Sequence, residues 1–289
     1  MKSIPYERVS PAADGEPFFD LVTNPDDFAR FGPSLVQNPV VGGEVPTRAD
    51  VLAVVFDLEG FTRFCSQRDP QTFVPRFVGD FTDWFFQQIR SQLLFHSGGP
   101  AADSVQTEDG KYQLCAPPPF FAKFLGDGFL CLWAADRDLI RRDLPDDADE
   151  GLVENELRGD LTNTLAVIQD VRRSYSDYQK TLREHYVNVP SRLRLGAAVG
   201  LVTALSNGRD FVGPCINQAS RLEKLGPLGM AVDCAGFPNA FVDAPGLERM
   251  FTKQTVDIRG GEQTRVLVDA KEWDSLTEEE QRSITSKRD

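Results

Sequence analysis

The stretch VLAVVFDLEGFTRFC, Val51 to Cys65, decides the architecture. It begins with an unbroken apolar run from Val51 to Phe56, rich in β-branched side chains, and turns abruptly polar at Asp57. A run of that kind is the pattern of a strand buried on both faces, not of a half-exposed strand with alternating character. Downstream, residues 71 to 95 carry Phe77, Phe81, Trp84, Phe85, Ile89 and Leu93 at three- and four-residue steps, the spacing of an amphipathic helix whose aromatic side chains serve core packing. The stretch from Ser97 to Pro119 reads as a surface excursion. After it, FFAKFLGDGFLCLW (Phe120 to Trp133) places two apolar segments around Gly126-Asp127-Gly128, a hairpin signal.

The pattern continues outward in both directions. The acidic segment Asp143 to Gly151 reads as a solvated loop, residues 161 to 185 are helical in period, and Leu193 to Leu205 reads as a strand. Residues 207 to 226 pass from a turn into a helix with Ile216, Ala219, Leu222 and Leu225 on one face and Gly226 as its stop. Residues 255 to 270 form a last hairpin. Interleaved helices and strands favour one α/β (α+β) body with helices packed on a sheet. Residues 1 to 50, rich in Pro and Gly, read as an arm packed on a body that spans residues 51 to 270, with 271 to 289 as a tail. Internal repeats and glycine-rich phosphate loops of the GxxxxGK[ST] or GxGxxG type are absent from the sequence.

Composition sets limits. The 289 residues, 41% hydrophobic and 26% charged, have the balance of a soluble globular protein large enough for a sizeable core. No apolar stretch approaches the ~20 residues needed to cross a bilayer and the first residues lack a signal-peptide core, so the expectation is a cytoplasmic protein with no membrane association. Five scattered cysteines (Cys65, Cys115, Cys131, Cys215, Cys234) show neither zinc-site nor disulfide-framework spacing. With 31 Lys and Arg against 44 Asp and Glu the net charge is −13, which repels polyanions and argues against nucleic acid as a partner. A phosphorylated substrate would need positive charge concentrated at its site.

Two acids stand where acids are awkward: Asp57 directly after the buried run, and Asp127 in the turn of an apolar hairpin. Taken singly, Asp127 also suits a turn and Asp57 a cap. As a pair at strand ends they would repel each other unless cations lay between them, and two carboxylates plus substrate phosphates are a minimal magnesium anchor.

The strings FDLEGFT (Phe56 to Thr62), KFLGDGF (Lys123 to Phe129) and DFVGPCINQASRLE (Asp210 to Glu223) resemble, in order and spacing, the three signature regions of the class III adenylyl and guanylyl cyclases. The resemblance covers roughly residues 51 to 270 and implies a ferredoxin-like core with a mixed or antiparallel sheet. It implies conversion of a nucleoside triphosphate to a 3′,5′-cyclic nucleotide and pyrophosphate, by attack of the ribose 3′-hydroxyl on the α-phosphorus with two Mg2+ or Mn2+ ions per active site. By that resemblance Asp57 and Asp127 hold the metals with the backbone carbonyl of Leu58. Phe56, Glu59, Gly60, Phe61 and Thr62 bind substrate, the amides around Glu59, Gly60 and Phe61 meeting the triphosphate. Asn217 orients the ribose, and Arg221, four residues on and on the same helix face, offsets charge at the α-phosphate.

Lys123 and Asp210 match the positions that read the base in adenylyl cyclases. Lys123 lies within an apolar strand, so its ammonium needs a partner or a ligand. A lysine donor beside a carboxylate acceptor suits the ring nitrogen and amino group of adenine or cytosine. It mismatches the ring N–H and carbonyl of guanine or uracil, so ATP or CTP is expected over GTP or UTP. The two histidines, His96 and His185, read as surface residues.

In the resembled family the metals and the base are held by different subunits, which implies a homodimer with two composite sites. One departure is Gly261 where a phosphate-binding lysine is often found, with Arg259 nearby. The stand-alone architecture is also similar to that of the pyrimidine cyclases of the bacterial antiphage system called Pycsar, which make cyclic CMP or cyclic UMP to activate a separate effector. A competing reading is a degenerate cyclase domain kept as a nucleotide-binding module.

Overall fold

The computed structural model describes residues 3–9, 19–33, 47–67, 69–94, 106–205, 208–237, 247–258 and 262–285. Its strands are β1 (Glu7–Val9), β2 (Asp20–Thr23), β3 (Arg48–Glu59), β4 (Tyr112–Leu114), β5 (Phe121–Phe124), β6 (Gly128–Ala134), β7 (Arg192–Leu205), β8 (Asp210–Val212), β9 (Met230–Asp233), β10 (Phe251–Ile258) and β11 (Glu262–Asp269). Its helices are α1 (Pro25–Ala29), α2 (Phe61–Cys65), α3 (Pro70–Leu93), α4 (Arg137–Asp143), α5 (Glu150–Leu182), α6 (Pro214–Leu222), α7 (Leu247–Met250), α8 (Ala270–Ser275) and α9 (Glu278–Thr285).

The main sheet runs β10-β11-β9-β7-β3-β6-β5, with β8 added to β7. Its pairs are antiparallel except β7 with β9, which run parallel. Parallel neighbours cannot be joined by a tight turn, and the chain between β7 and β9 carries β8 and α6 across the sheet. The class is therefore mixed α/β, as the sequence pattern implies.

β3 is buried on both faces. Leu52, Val54, Phe56 and Leu58 join the core under α3 and α5, while Val51, Ala53 and Val55 face Phe211, Cys215 and Ala219 of β8 and α6. α3 buries Phe77, Phe81, Phe85 and Ile89, and Phe85 stacks on Phe129 of β6 at 4.5 Å. Trp84 stacks on Tyr178 of α5 at 4.5 Å, locking the two long helices together. α6 can rest directly on β7 because residue 196 is glycine: a Cβ there would lie 2.0 Å from the Ala219 carbonyl oxygen.

Two segments are more built than their sequence suggests. α5 begins at Glu150, so the end of the acidic stretch is helical, and Asp149 caps it by accepting from the Leu152 amide at 2.7 Å. The stretch from Ser97 to Pro119 was expected at the surface, yet in its described part β4 pairs with β2, and Leu114 and Ala116 are buried. A three-residue strand shows no period, and its partner lies in the N-terminal arm. β1, β2 and β4 form a small separate sheet. Ile4, Tyr6, Leu21, Phe28 and Phe31 of the arm enter the main core, and the buried Arg8 meets Glu156 at 2.7 Å and also Asp160 on α5. At the other end Ile284 of α9 packs with Val256 and Ile258.

Candidate active site

The site starts at the end of β3. Asp57 stands opposite Gly128 of β6 on one side and Arg194 of β7 on the other. The β5–β6 turn closes with the Leu125 amide donating to the Gly128 carbonyl at 2.9 Å, and the Leu58 amide donates to the Asp127 carbonyl at 2.8 Å. Close approach of the strands requires glycine at 128, where a Cβ would sit 1.8 Å from the Phe56 carbonyl oxygen. The result is contact between the two acids. The Asp127 carboxyl is raised above its usual range, first by burial and then by the negative charge of Asp57 beside it.

Two converging carboxylates with a nearby backbone carbonyl are hard oxygen donors and fit Mg2+ or Mn2+. Among the described residues no three or more His, Cys, Asp or Glu side chains are arranged to enclose a metal ion.

The neighbouring corner is pinned by aromatic rings. Phe56 packs edge-on against Phe85 at 4.9 Å, and the buried Phe61 lies against Phe64 and Phe77. Gly60 opens α2 with Thr62 exposed beside it. The Glu59 carboxylate accepts from Arg192 Nε at 2.7 Å and Ser191 Oγ at 2.9 Å. Burial would raise that carboxyl, but these two donors hold it below its usual range.

Lys123 on β5 donates to Asp210 Oδ2 at 2.6 Å, with the two side chains 45% and 38% exposed. Phe211 packs against Phe121 at 4.9 Å, which brings β8 over the end of β5. Burial acts to raise the Asp210 carboxyl, and the bond from Lys123 outweighs it, so the group lies below its usual range.

Asn217 and Arg221 are exposed on α6 and line an open depression of about 400 Å3 together with Gln218 and Asp233. The structure joins Asp57 to Asp127 and Lys123 to Asp210, and the residues lining that depression include neither pair. His185 is exposed, while His96, Arg259 and Gly261 lie outside the described residues.

Sequence reasoning missed Arg194 and gave Glu223 no role. Arg194 Nη2 lies 2.5 Å from Asp57 Oδ2 and 3.6 Å from Glu223 Oε2. The available signal was an arginine between Leu193 and Leu195 in an apolar strand, the same awkwardness that marks Lys123.

A scan against protein-family models finds no match, and a search of curated proteins finds none. Among solved structures, the adenylyl cyclase CyaB from P. aeruginosa is similar at 13% identity and TM-score 0.49, over 77% of this chain and 94% of that one. A bacterial light-regulated adenylyl cyclase is similar at 15% identity and TM-score 0.46, over 81% of this chain and 55% of that one. The monomeric guanylyl cyclase domain of the RhoGC fusion protein from the aquatic fungus Blastocladiella emersonii is similar at 15% identity and TM-score 0.44, over 78% of this chain and 99% of that one.

Proposed function

We propose that the protein is a nucleotidyl cyclase that closes a nucleoside triphosphate, ATP or CTP, into a 3′,5′-cyclic nucleotide with release of pyrophosphate. The observation that carries this reading is the approach of Asp57 and Asp127, two acids distant in sequence that the Asp57–Gly128 register and the Leu58–Asp127 backbone bond bring together, so that the charge of one raises the carboxyl of the other. Mg2+ or Mn2+ held by Asp57, Asp127 and the Leu58 carbonyl would lower the pKa of the ribose 3′-hydroxyl and offset charge on the phosphate oxygens. The chain's own residues do the rest. The corner from Glu59 to Thr62 receives the triphosphate, and Arg192, Arg194 and Lys224 supply positive charge around the acids of a strongly anionic protein. Lys123 and Asp210 exchange their mutual bond for a donor and an acceptor on the base edge, which favours adenine or cytosine.

In the arrangement of the resembled family Lys123, Asp210, Asn217 and Arg221 act on the triphosphate whose metals are held by a second copy of the chain, so the working unit is a homodimer with composite sites. Two observations support this: the depression that Asn217 and Arg221 line includes neither Asp57 nor Asp127, and Leu201, Leu205 and Val212 on the β7–β8 hairpin beside Asp210 are exposed apolar side chains. The test is incubation of purified protein with each of the four triphosphates and Mn2+. A cyclic product from ATP or CTP is expected, and no cyclic product from any of the four would overturn the reading.

A further inference from the structure

Asp57 already has a cation of its own. Arg194 faces it directly across the β3–β7 ladder and bonds it at 2.5 Å, while the same guanidinium lies 3.6 Å from Glu223 Oε2 and 3.7 Å from Glu59 Oε1. Two complementary atoms of this cluster are buried with no hydrogen-bond partner: Arg194 Nε and Glu223 Oε2. The Glu223 side chain is only 3% exposed, and its other oxygen, Oε1, is 3.4 Å from Lys224 Nζ. A buried donor and a buried acceptor left unmet are costly, and here they sit on adjacent side chains.

We propose that Arg194 is a two-position latch, bonded to Asp57 when no divalent ion is present and moved onto Glu223 when one binds, so that both are positioning residues for metal loading of Asp57. This inference rests on the cyclase reading only in that Asp57 and Asp127 take a divalent cation. The backbone on either side is fixed. Arg194 is held in register with Asp57, and α6 is seated on Gly196 with the Glu223 amide beside it. Motion is thereby confined to the guanidinium, whose Nη2 has Glu223 Oε2, at 3.6 Å, as its next carboxylate oxygen once it leaves Asp57. In its first position the guanidinium neutralises an acid that Asp127 would otherwise repel, but it also opposes an incoming cation through like charge. Arginine cannot escape by losing its proton. Displaced without a new acceptor it would be a buried unpaired charge, and Glu223 is the acceptor placed to prevent that.

The experiment titrates the full chain with Mn2+ alone, reading the free Mn2+ by electron paramagnetic resonance, for wild type, Arg194→Gln, Glu223→Gln and Asp57→Asn. It is run at mildly alkaline pH, above the range in which carboxyl groups ordinarily titrate. Arg194→Gln removes the competitor and should tighten Mn2+ binding about fivefold, while Glu223→Gln removes the receiving position and should weaken it by a similar factor. A pair that only stabilises the fold would lower the melting temperature in both variants and move Mn2+ affinity in one direction or not at all, and that result overturns the latch. Should Arg194→Gln not fold, the Glu223→Gln arm decides, with unchanged or tighter binding overturning it. Asp57→Asn separates the two readings: if it binds Mn2+ as tightly as wild type, or if no form binds, the cation site itself falls.

Discussion

Lys123 Nζ and Asp210 Oδ2, on strands 87 residues apart in sequence, meet at 2.6 Å in a position open to solvent. Each satisfies the other until something better arrives, and a base edge with an acceptor beside a donor replaces the bond without leaving either charge unmet. Exchanging the polarity should therefore exchange the preference. In the double variant Lys123→Glu, Asp210→Lys, turnover of ATP or CTP should fall at least tenfold relative to GTP or UTP, on the order of one lost buried hydrogen bond. Relative kcat/KM for the four triphosphates measures this, and an unchanged ranking removes the pair from base recognition.

Asp57→Asn and Asp127→Asn preserve shape and remove charge. Each removes a repulsion with its neighbour, and after Asp57→Asn the Arg194 guanidinium still has Glu59 and Glu223 within 4 Å, so neither should lose the fold. Both should lose cyclisation by at least ~100-fold, since the carboxylates are the protein's anchors for the cation that stabilises the reacting oxygens. Circular dichroism with a product assay tests both halves of the expectation. Near-normal turnover in either variant removes that residue from the catalytic centre.

Part of this arrangement was legible in the sequence for identifiable reasons. The run Val51 to Phe56 announces a doubly buried strand because it lacks alternation, and the Gly126-Asp127-Gly128 turn announces a hairpin because glycines there interrupt two apolar runs. β4 and β9 carry no such signal, being three and four residues long and ordered by partners elsewhere in the chain. The beginning of α5 was hidden by an acidic stretch that serves as loop, cap and first turn together. Arg194 stayed obscure because its meaning depends on register: only the β3–β7 ladder places it opposite Asp57.

That register also makes Gly128 a sensitive position. Gly128→Ala would put a methyl group 1.8 Å from the Phe56 carbonyl oxygen, so β6 must part from β3 at the place where Asp57 and Asp127 meet. The variant should lose about 2 kcal/mol of stability or more. In whatever fraction folds, it should lose activity beyond that loss. Urea unfolding with turnover measured on the folded fraction would show it, and a wild-type midpoint contradicts the strand spacing.

Acid stability should depend on Asp269. Burial acts to raise this carboxyl, but bonds from Arg173 and Arg172, each at 2.8 Å, hold it below its usual range. The folded value is thus below the unfolded one. Its stabilisation is complete above the ordinary carboxylate range and is lost as pH falls through the depressed value. Asp269→Asn leaves the largely buried Arg172 with only Glu272, at 3.4 Å, and takes the buried counterion from the more exposed Arg173, so it should cost about 3 kcal/mol at neutral pH. Denaturation at several pH values should show the gap between variant and wild type closing below about pH 4. A gap that is constant with pH would mean that the charge is not the source.

The composite site makes the sharpest demand. A chain carrying Asp57→Ala lacks the cation anchor but keeps Arg221, and a chain carrying Arg221→Ala keeps the anchor and lacks the arginine. Each homodimer has two broken sites and should be inactive. In the mixed dimer one site combines both substitutions and the other none, because Asp57 of one copy works with Arg221 of the second. Co-expression with two affinity tags isolates that heterodimer, and about half of wild-type kcat per dimer is expected, since one of two equivalent sites is intact. A confirmed heterodimer that stays inactive would place both residues in the same copy's site. In that case the open depression lined by Asn217 and Arg221 would have to close toward the acids within one chain.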